Sequence, residues 1–355
     1  MQFEFNLSFF IIFSAISLFT TFLVSKYSKF FFSGFLLDVD FSKPQAFHKK
    51  PIARAGGISI YLLFALFIFF YFLSFQIFLK SYFTITFLLF SLGFLDDLKI
   101  KINPNIRLLL MLIILTMCIN IFSIQITLSG LEFLNLWLEN HIFQTLFVLL
   151  CFLFIINGSN LIDGYNGLLA IHFLIINFIL LSINLINQQY GISIILIFQT
   201  IIVLSFLFFN FPKAKIFLGD GGSYLIGSMI VINTIKTHQI NPEISSFFYT
   251  SVLFYLFYEV FFSFIRKSIS RRSPLKPDNL HLHMLLYNFL LKSKKSITAN
   301  YMTSSIINLV YFILIIPVFY FQENGIFSRY YFFILIIFYT FSYYLLLKLK
   351  KNENI

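Results

Sequence analysis

Ile142 to Leu168 reads IFQTLFVLLCFLFIINGSNLIDGYNGL, an apolar run that ends abruptly in three Asn, three Gly and one acid. The apolar part is long enough to span about 30 Å of hydrocarbon as a helix. A charged side chain in hydrocarbon costs about 2.5–3.5 kcal/mol on insertion scales, so an acid at the mouth of such a run marks a functional site by default. The stretch therefore sets both the fold class, a helical membrane protein, and the first place to look for chemistry. Asp96-Asp97 and Asp220 end or begin apolar runs in the same way.

The rest of the chain repeats the pattern. Of 355 residues, 59% are hydrophobic, 21% aromatic and only 11% charged. Eleven spans are expected, at approximately 7–24, 57–79, 82–95, 107–128, 142–160, 167–186, 192–209, 221–237, 246–265, 299–320 and 330–347. This predicts an all-α polytopic membrane protein with a single integral-membrane domain over 1–355. The 54 Phe residues fill lipid-facing positions rather than forming an aromatic box.

Lys and Arg set the orientation. All 25 of them except Lys80, Lys236 and Arg329 fall in segments 25–56, 96–107, 210–220, 266–298 and 348–355, on one side of the predicted spans. By the positive-inside rule that side is cytoplasmic, the N-terminus is outside and the C-terminus inside. The net charge of +11 is then a topology signal plus a phosphate-facing surface, and not a nucleic-acid footprint. No cleavable signal peptide is expected, so the first span is retained. Cys118 and Cys151 fall within spans, lack metal-ligand spacing and read as small apolar residues.

The remaining polar clusters all fall on the same side. His48-Lys49-Lys50-Pro51-Ile52-Ala53-Arg54-Ala55-Gly56-Gly57 joins fixed positive charge to a Gly-Gly pair and suits either an anionic ligand or an ordinary basic helix anchor. Leu95-Asp96-Asp97-Leu98-Lys99 places two repelling carboxylates together, a pairing that favours Mg²⁺ or proton transfer, or else a solvated helix end. A span ends at Asn210-Phe211-Pro212, and the next begins after the glycine-rich turn Phe217-Leu218-Gly219-Asp220-Gly221-Gly222-Ser223, where free N–H groups bind phosphate and Asp220 either holds a bridging metal or caps the helix. The longest basic loop carries Asp278 and His281-Leu282-His283.

In their order and on their common face, these clusters resemble the polyprenyl-phosphate N-acetylhexosamine-1-phosphate transferases of glycosyltransferase family 4, from about Pro44 to Tyr287. The eleven-span count matches the family's non-muramoyl branch. The resemblance implies catalytic roles for Asp96, Asp97, Asp163, His281 and His283. It implies substrate contacts from Lys50, Arg54, Asn157, Asn160, Asn166, Asn210, Phe217 and Arg272, with Phe217 stacking on uracil, and Asp220 as the Mg²⁺ ligand. Glu259 and Arg266 stand where the family has an acid and a base at the end of a span. Two positions depart from the pattern: Asn166 stands where Asp is common, and Met284 where the family has a further His. The triple-histidine pattern of the muramoyl enzymes is missing, which argues against UDP-MurNAc-pentapeptide as donor.

The activity so implied is transfer of N-acetylhexosamine 1-phosphate from a UDP-sugar to undecaprenyl phosphate, releasing UMP, at the cytoplasmic face of the bacterial inner membrane. A transporter is the rival from another class, but it predicts polar groups near the midplane and repeat symmetry. A CDP-alcohol phosphotransferase is the chemical rival. Its Asp-Gly-x-x-Ala-Arg pattern fails here, because Asp163-Gly164 is followed by Tyr165-Asn166-Gly167-Leu168.

Overall fold

The computed structural model describes residues 7–39, 51–100, 102–271, 273 and 278–351. Along the chain run α1 (Leu7–Tyr27), β1 (Leu37–Asp38), β2 (Ile52–Arg54), α2 (Gly56–Phe75), α3 (Lys80–Asp97), α4 (Pro104–Ile121), α5 (Glu132–Leu138), α6 (His141–Ile162), α7 (Leu168–Ile186) and α8 (Tyr190–Asn210). They are followed by β3 (Ile216–Phe217), α9 (Gly219–Ile240), α10 (Ser246–Val252), α11 (Phe254–Ile269), α12 (Leu282–Leu291), α13 (Ser296–Tyr320) and α14 (Gly325–Lys351). Local chemistry sets several boundaries. Asn103 caps α4 ahead of Pro104, Asn140 accepts the Ile142 and Phe143 N–H groups at the start of α6, and Ser245 caps α10.

Every expected span falls on a helix, yet the count needs correction. Among the described residues, eight helices (α1, α2, α4, α6, α7, α8, α13 and α14) are long and apolar enough to cross a membrane on their own. The expected span 246–265 is two helices, α10 and α11, bent by 74°, and taken as one span they make nine. The Val252 carbonyl at the break accepts the Tyr311 hydroxyl at 2.5 Å, so the bend leaves that group satisfied.

The other two expected spans, α3 and α9, fall short in apolarity for different reasons. α3 carries Lys80, Asp96 and Asp97 at its ends. α9 is the central helix, buried at every position except Asp220, Lys236, Gln239 and Ile240, with α3, α6, α2 and α7 packed around it. A helix surrounded by protein has no need of a lipid-compatible surface. Its Asn233 accepts from the Tyr82 hydroxyl (2.8 Å) and donates to Asn177 (3.1 Å) and Gln199 (2.6 Å). The outermost helices show the reverse, with Ile11, Phe19, Ile337 and Phe341 exposed toward lipid.

Close approach around the start of α9 depends on glycine. A Cβ on Gly93 of α3 would lie 2.5 Å from the Asp220 carbonyl oxygen, and one on Gly57 of α2 would lie 2.5 Å from the Gly222 nitrogen. In lipid, helices associate through packing and hydrogen bonds and not through the hydrophobic effect, so small residues at such contacts set how closely backbones meet.

Three features were not expected from sequence: the short helices α5 and α12, and a three-stranded sheet in the order β1-β2-β3. β2 pairs antiparallel with β1 (Leu37 with Ala53) and parallel with β3 (Arg54 with Phe217). The sheet ties segments far apart in sequence to the N-terminal end of α9.

Candidate active site

The centre of the site is the first turn of α9. Gly219 adopts a φ of +81°, a left-handed conformation that glycine takes without strain. The adjoining Leu218 has no side chain able to cap the helix. Asp97 supplies that function from α3, accepting the Asp220 and Gly221 N–H groups at 2.9 Å each, one on each carboxylate oxygen. The carboxylate at the positive end of the helix satisfies two otherwise orphaned donors.

Asp220 is thereby fixed with its own carboxylate at the wall of a cavity of about 1880 Å³. Asn160 of α6 donates to Asp220 Oδ1 (3.2 Å) and to Ser223 Oγ (3.0 Å). Arg54 Nη1 stands 4.0 Å from Asp220 Oδ1, and Arg107 Nη1 stands 3.6 Å from Asp220 Oδ2. Each guanidinium has its own anchor. Arg54 donates to Asp38 Oδ2 through Nε (3.0 Å) and Nη2 (2.7 Å), and Arg107 donates to Asp96. Asp220 is thus a carboxylate held between two fixed cations.

Asp163, immediately after α6, lines the same cavity, and no hydrogen bond to its carboxyl is found among the described residues. Burial, followed by the charge of Asp220, pushes this carboxyl well above the usual carboxylate range, while Arg54 opposes the shift. A carboxyl raised by a second carboxylate across a cavity suits a divalent cation, whose charge relieves the repulsion. Among the described residues no three His, Cys, Asp or Glu side chains are grouped to enclose a metal. That donor set fits Mg²⁺, which commonly takes one or two carboxylates and completes its shell with water and substrate phosphates.

The neighbouring Asn residues fasten loops. Asn210 accepts the Gly167 N–H (2.6 Å) and donates to the Ile216 carbonyl (2.9 Å), joining the starts of α7 and β3. Asn166 donates to the Pro212 carbonyl (2.9 Å), and its own N–H donates to Asn300 (3.0 Å). Asn166 therefore does not cap α7, whose N-cap is Gly167. Asn157 donates to the Leu153 carbonyl at 2.7 Å within its own helix, and all three Asn side chains, with Phe217, line the cavity.

The histidine pair divides. His281 lines the cavity, with Nδ1 3.0 Å from Glu259 and Nε2 3.3 Å from Asp278. Asp278 is in turn held by Arg266 at 2.7 and 3.2 Å. Burial raises the Asp278 carboxyl, but the Arg266 hydrogen bond and the charges of His281 and Arg266 outweigh it and hold it below the usual range. His283 lies outside the cavity lining, fully buried behind His281, with ring centroids 5.6 Å apart and planes 3° from parallel. Burial pushes its pKa down to about 3, so it is a neutral packing residue in this arrangement.

Of the residues expected from sequence, the structure gathers Arg54, Asn157, Asn160, Asp163, Asn166, Asn210, Phe217, Asp220 and His281 around one cavity. Asp96 and Asp97, of which one or the other is expected to deprotonate or orient the lipid phosphate, are not among the residues that line the cavity. The Asp96 carboxylate is engaged by Arg107, and that of Asp97 by the backbone of α9, with Arg54 Nη1 3.9 Å from its Oδ1. The expected Lys50 and Arg272 lie outside the described residues. Sequence reasoning missed Asp38, Arg107 and Asn300 as site residues. Arg107 had one usable signal, a cation in the first turn of a span following an acidic pair. The lining also includes Lys213, Lys215 and Lys295, together with the apolar Leu150, Leu153 and Phe154 of α6 and Val260 and Phe264 of α11.

Residues 79–238 match the family model for glycosyl transferase family 4. The chain is 26% identical over 238 residues to the undecaprenyl-phosphate alpha-N-acetylglucosaminyl 1-phosphate transferase of Thermotoga maritima, covering 66% of this chain and 68% of that protein. It is 25% identical over 280 residues to a probable undecaprenyl-phosphate N-acetylglucosaminyl 1-phosphate transferase of Bacillus subtilis, covering 76% and 75%. A phospho-N-acetylmuramoyl-pentapeptide-transferase of Dictyoglomus turgidum is 30% identical over 205 residues, covering 54% and 62%.

Proposed function

We propose that the chain is a member of glycosyl transferase family 4 and that it moves N-acetylhexosamine 1-phosphate from a UDP-sugar to a polyprenyl phosphate. In this reaction an oxygen of the lipid phosphate attacks the sugar-bearing phosphorus of the donor. The bond from that phosphorus to the bridging oxygen breaks, and UMP leaves with the bonding electrons. The observation that carries this reading is Asp220, braced between Arg54 and Arg107 at a cavity lined by both charged and apolar side chains.

Phosphoryl transfer asks a protein chiefly for positioning and charge neutralisation. Asp220 and Asp163 would hold Mg²⁺, which when bound would offset charge on the donor's diphosphate. Arg54 and Arg107 supply fixed donors to the remaining phosphate oxygens, and His281, held between Glu259 and Asp278, stands at the wall of the same cavity. Phe217 offers a ring for uracil. The apolar lining residues of α6 and α11 suit the first prenyl units, whose tail then stays in the bilayer. A cavity of about 1880 Å³ exceeds the roughly 300–1,000 Å³ of an ordinary small-molecule pocket, as two substrates in contact require.

The basic residues favour a cytoplasmic site in a bacterial inner membrane. Lys213→Cys should then be shielded from an impermeant thiol reagent in intact cells, and Asn324→Cys should react; labelling at position 213 would reverse the topology.

The activity test is UMP release from purified protein given undecaprenyl phosphate and a panel of UDP-N-acetylhexosamines and UDP-MurNAc-pentapeptide. Lipid-dependent release from a UDP-N-acetylhexosamine is expected. Release from the pentapeptide donor alone would move the chain to the muramoyl branch, and no release from any donor would overturn the reading.

A further inference from the structure

Glu259 lies in α11 at 1% exposure, and both of its carboxylate oxygens are engaged. Oε1 faces His281 Nδ1 (3.0 Å) and accepts the Leu282 N–H (3.2 Å), and Oε2 accepts the Tyr339 hydroxyl at 2.7 Å. Tyr339 sits on α14, far in sequence from His281 and outside the matched segment 79–238. A chain of contacts thus runs from the C-terminal helix through a buried acid to an imidazole at the cavity wall. A carboxylate sealed among helices is costly unless each of its oxygens is satisfied.

We propose that Tyr339 is a positioning residue for His281, acting through Glu259. The hydroxyl fixes the rotation of the Glu259 carboxylate. Its Oε1 then requires the proton on His281 Nδ1 and sets the plane of the ring, as a hydrogen-bonded second partner does for functional histidines. Without the hydroxyl, Glu259 loses one of its donors, and of the two carboxylates that orient the imidazole, Glu259 at Nδ1 and Asp278 at Nε2, the first is no longer fixed. The effect on turnover rests on the transferase reading above; the effect on the ring does not.

Tyr343, one turn along α14, is an internal control, because its buried hydroxyl has no hydrogen-bond partner among the described residues. Tyr339→Phe should lower kcat about tenfold, the size expected from weakening one hydrogen bond to a charged group, with little change in KM for the donor. Tyr343→Phe should leave kcat unchanged. In a His281→Ala background Tyr339→Phe should cost nothing further, since residues acting as one unit are non-additive.

¹⁵N-histidine spectra give a readout independent of turnover, and six histidines keep assignment tractable. The His281 Nδ1 signal should move in Tyr339→Phe and not in Tyr343→Phe. An unmoved signal, or an equal loss of kcat with and without His281, would overturn the inference. A moved signal in a protein that releases no UMP would support the positioning and overturn only the proposed activity.

Discussion

Asp97→Asn separates a structural carboxylate from a chemical one. The two oxygens of Asp97 each accept a backbone N–H from the first turn of α9 at 2.9 Å. An Asn can accept only one of these bonds, and its NH₂ must then face the other N–H, donor against donor. The loss comprises one charge-assisted hydrogen bond, about 1.5–3 kcal/mol, and a buried N–H left unsatisfied, about 1–3 kcal/mol. The favourable field of a carboxylate at a helix N-terminus adds about 0.3–1 kcal/mol. A destabilisation of roughly 3–5 kcal/mol follows once overlap among these terms is allowed for. It is concentrated on the turn that aims Asp220, so turnover should fall with stability. Asp96→Asn is the contrast. An Asn oxygen there still accepts from Arg107 at a partly open site, and the loss should be about 1 kcal/mol. The assay is thermal unfolding in detergent beside UMP release for both variants. If Asp97→Asn kept the wild-type Tm while losing turnover, Asp97 would be acting on substrate, and the capping argument would be wrong.

Asp220→Asn should abolish UMP release while changing Tm little, because it removes a cavity-facing charge and not a packing group; retained turnover would return Asp220 to a purely structural place in the turn. Asn166→Asp should cost about 1 kcal/mol, since the donor to the Pro212 carbonyl is replaced by an acceptor; a Tm equal to or above wild type would contradict this. The Asp278 carboxyl lies below its ordinary range in the folded protein, so its stabilising contribution is complete above the unfolded carboxylate pKa, about 3.9, and is lost as pH falls through the lower folded value. Asp278→Asn should therefore show a shallower fall in Tm on acidification than the wild type, and superimposable profiles would remove the Arg266 pairing as the cause.

Burial in lipid leaves a strong trace in sequence because it constrains every residue of a span at once. The apolar run before Asn157 and the placement of Asp163 and Asp220 at helix ends were both legible for that reason. So were nine of the residues that line the cavity, since a polar residue at the mouth of an apolar helix has few other reasons to be there. Tertiary structure decided how those residues divide their work. Asp96 and Asp97 are indistinguishable as neighbours in sequence, yet one faces a guanidinium and the other the backbone of α9, because successive positions on a helix point about 100° apart. His281 and His283 divide in the same way, one at the cavity and one sealed behind it. The Asp38 contact to Arg54 and the Tyr339 contact to Glu259 join segments with no shared periodicity, through a two-residue strand and a C-terminal helix. The polarity of α9 became intelligible only with its neighbours in place: enclosed by protein, a helix answers to hydrogen-bond partners and close packing rather than to lipid.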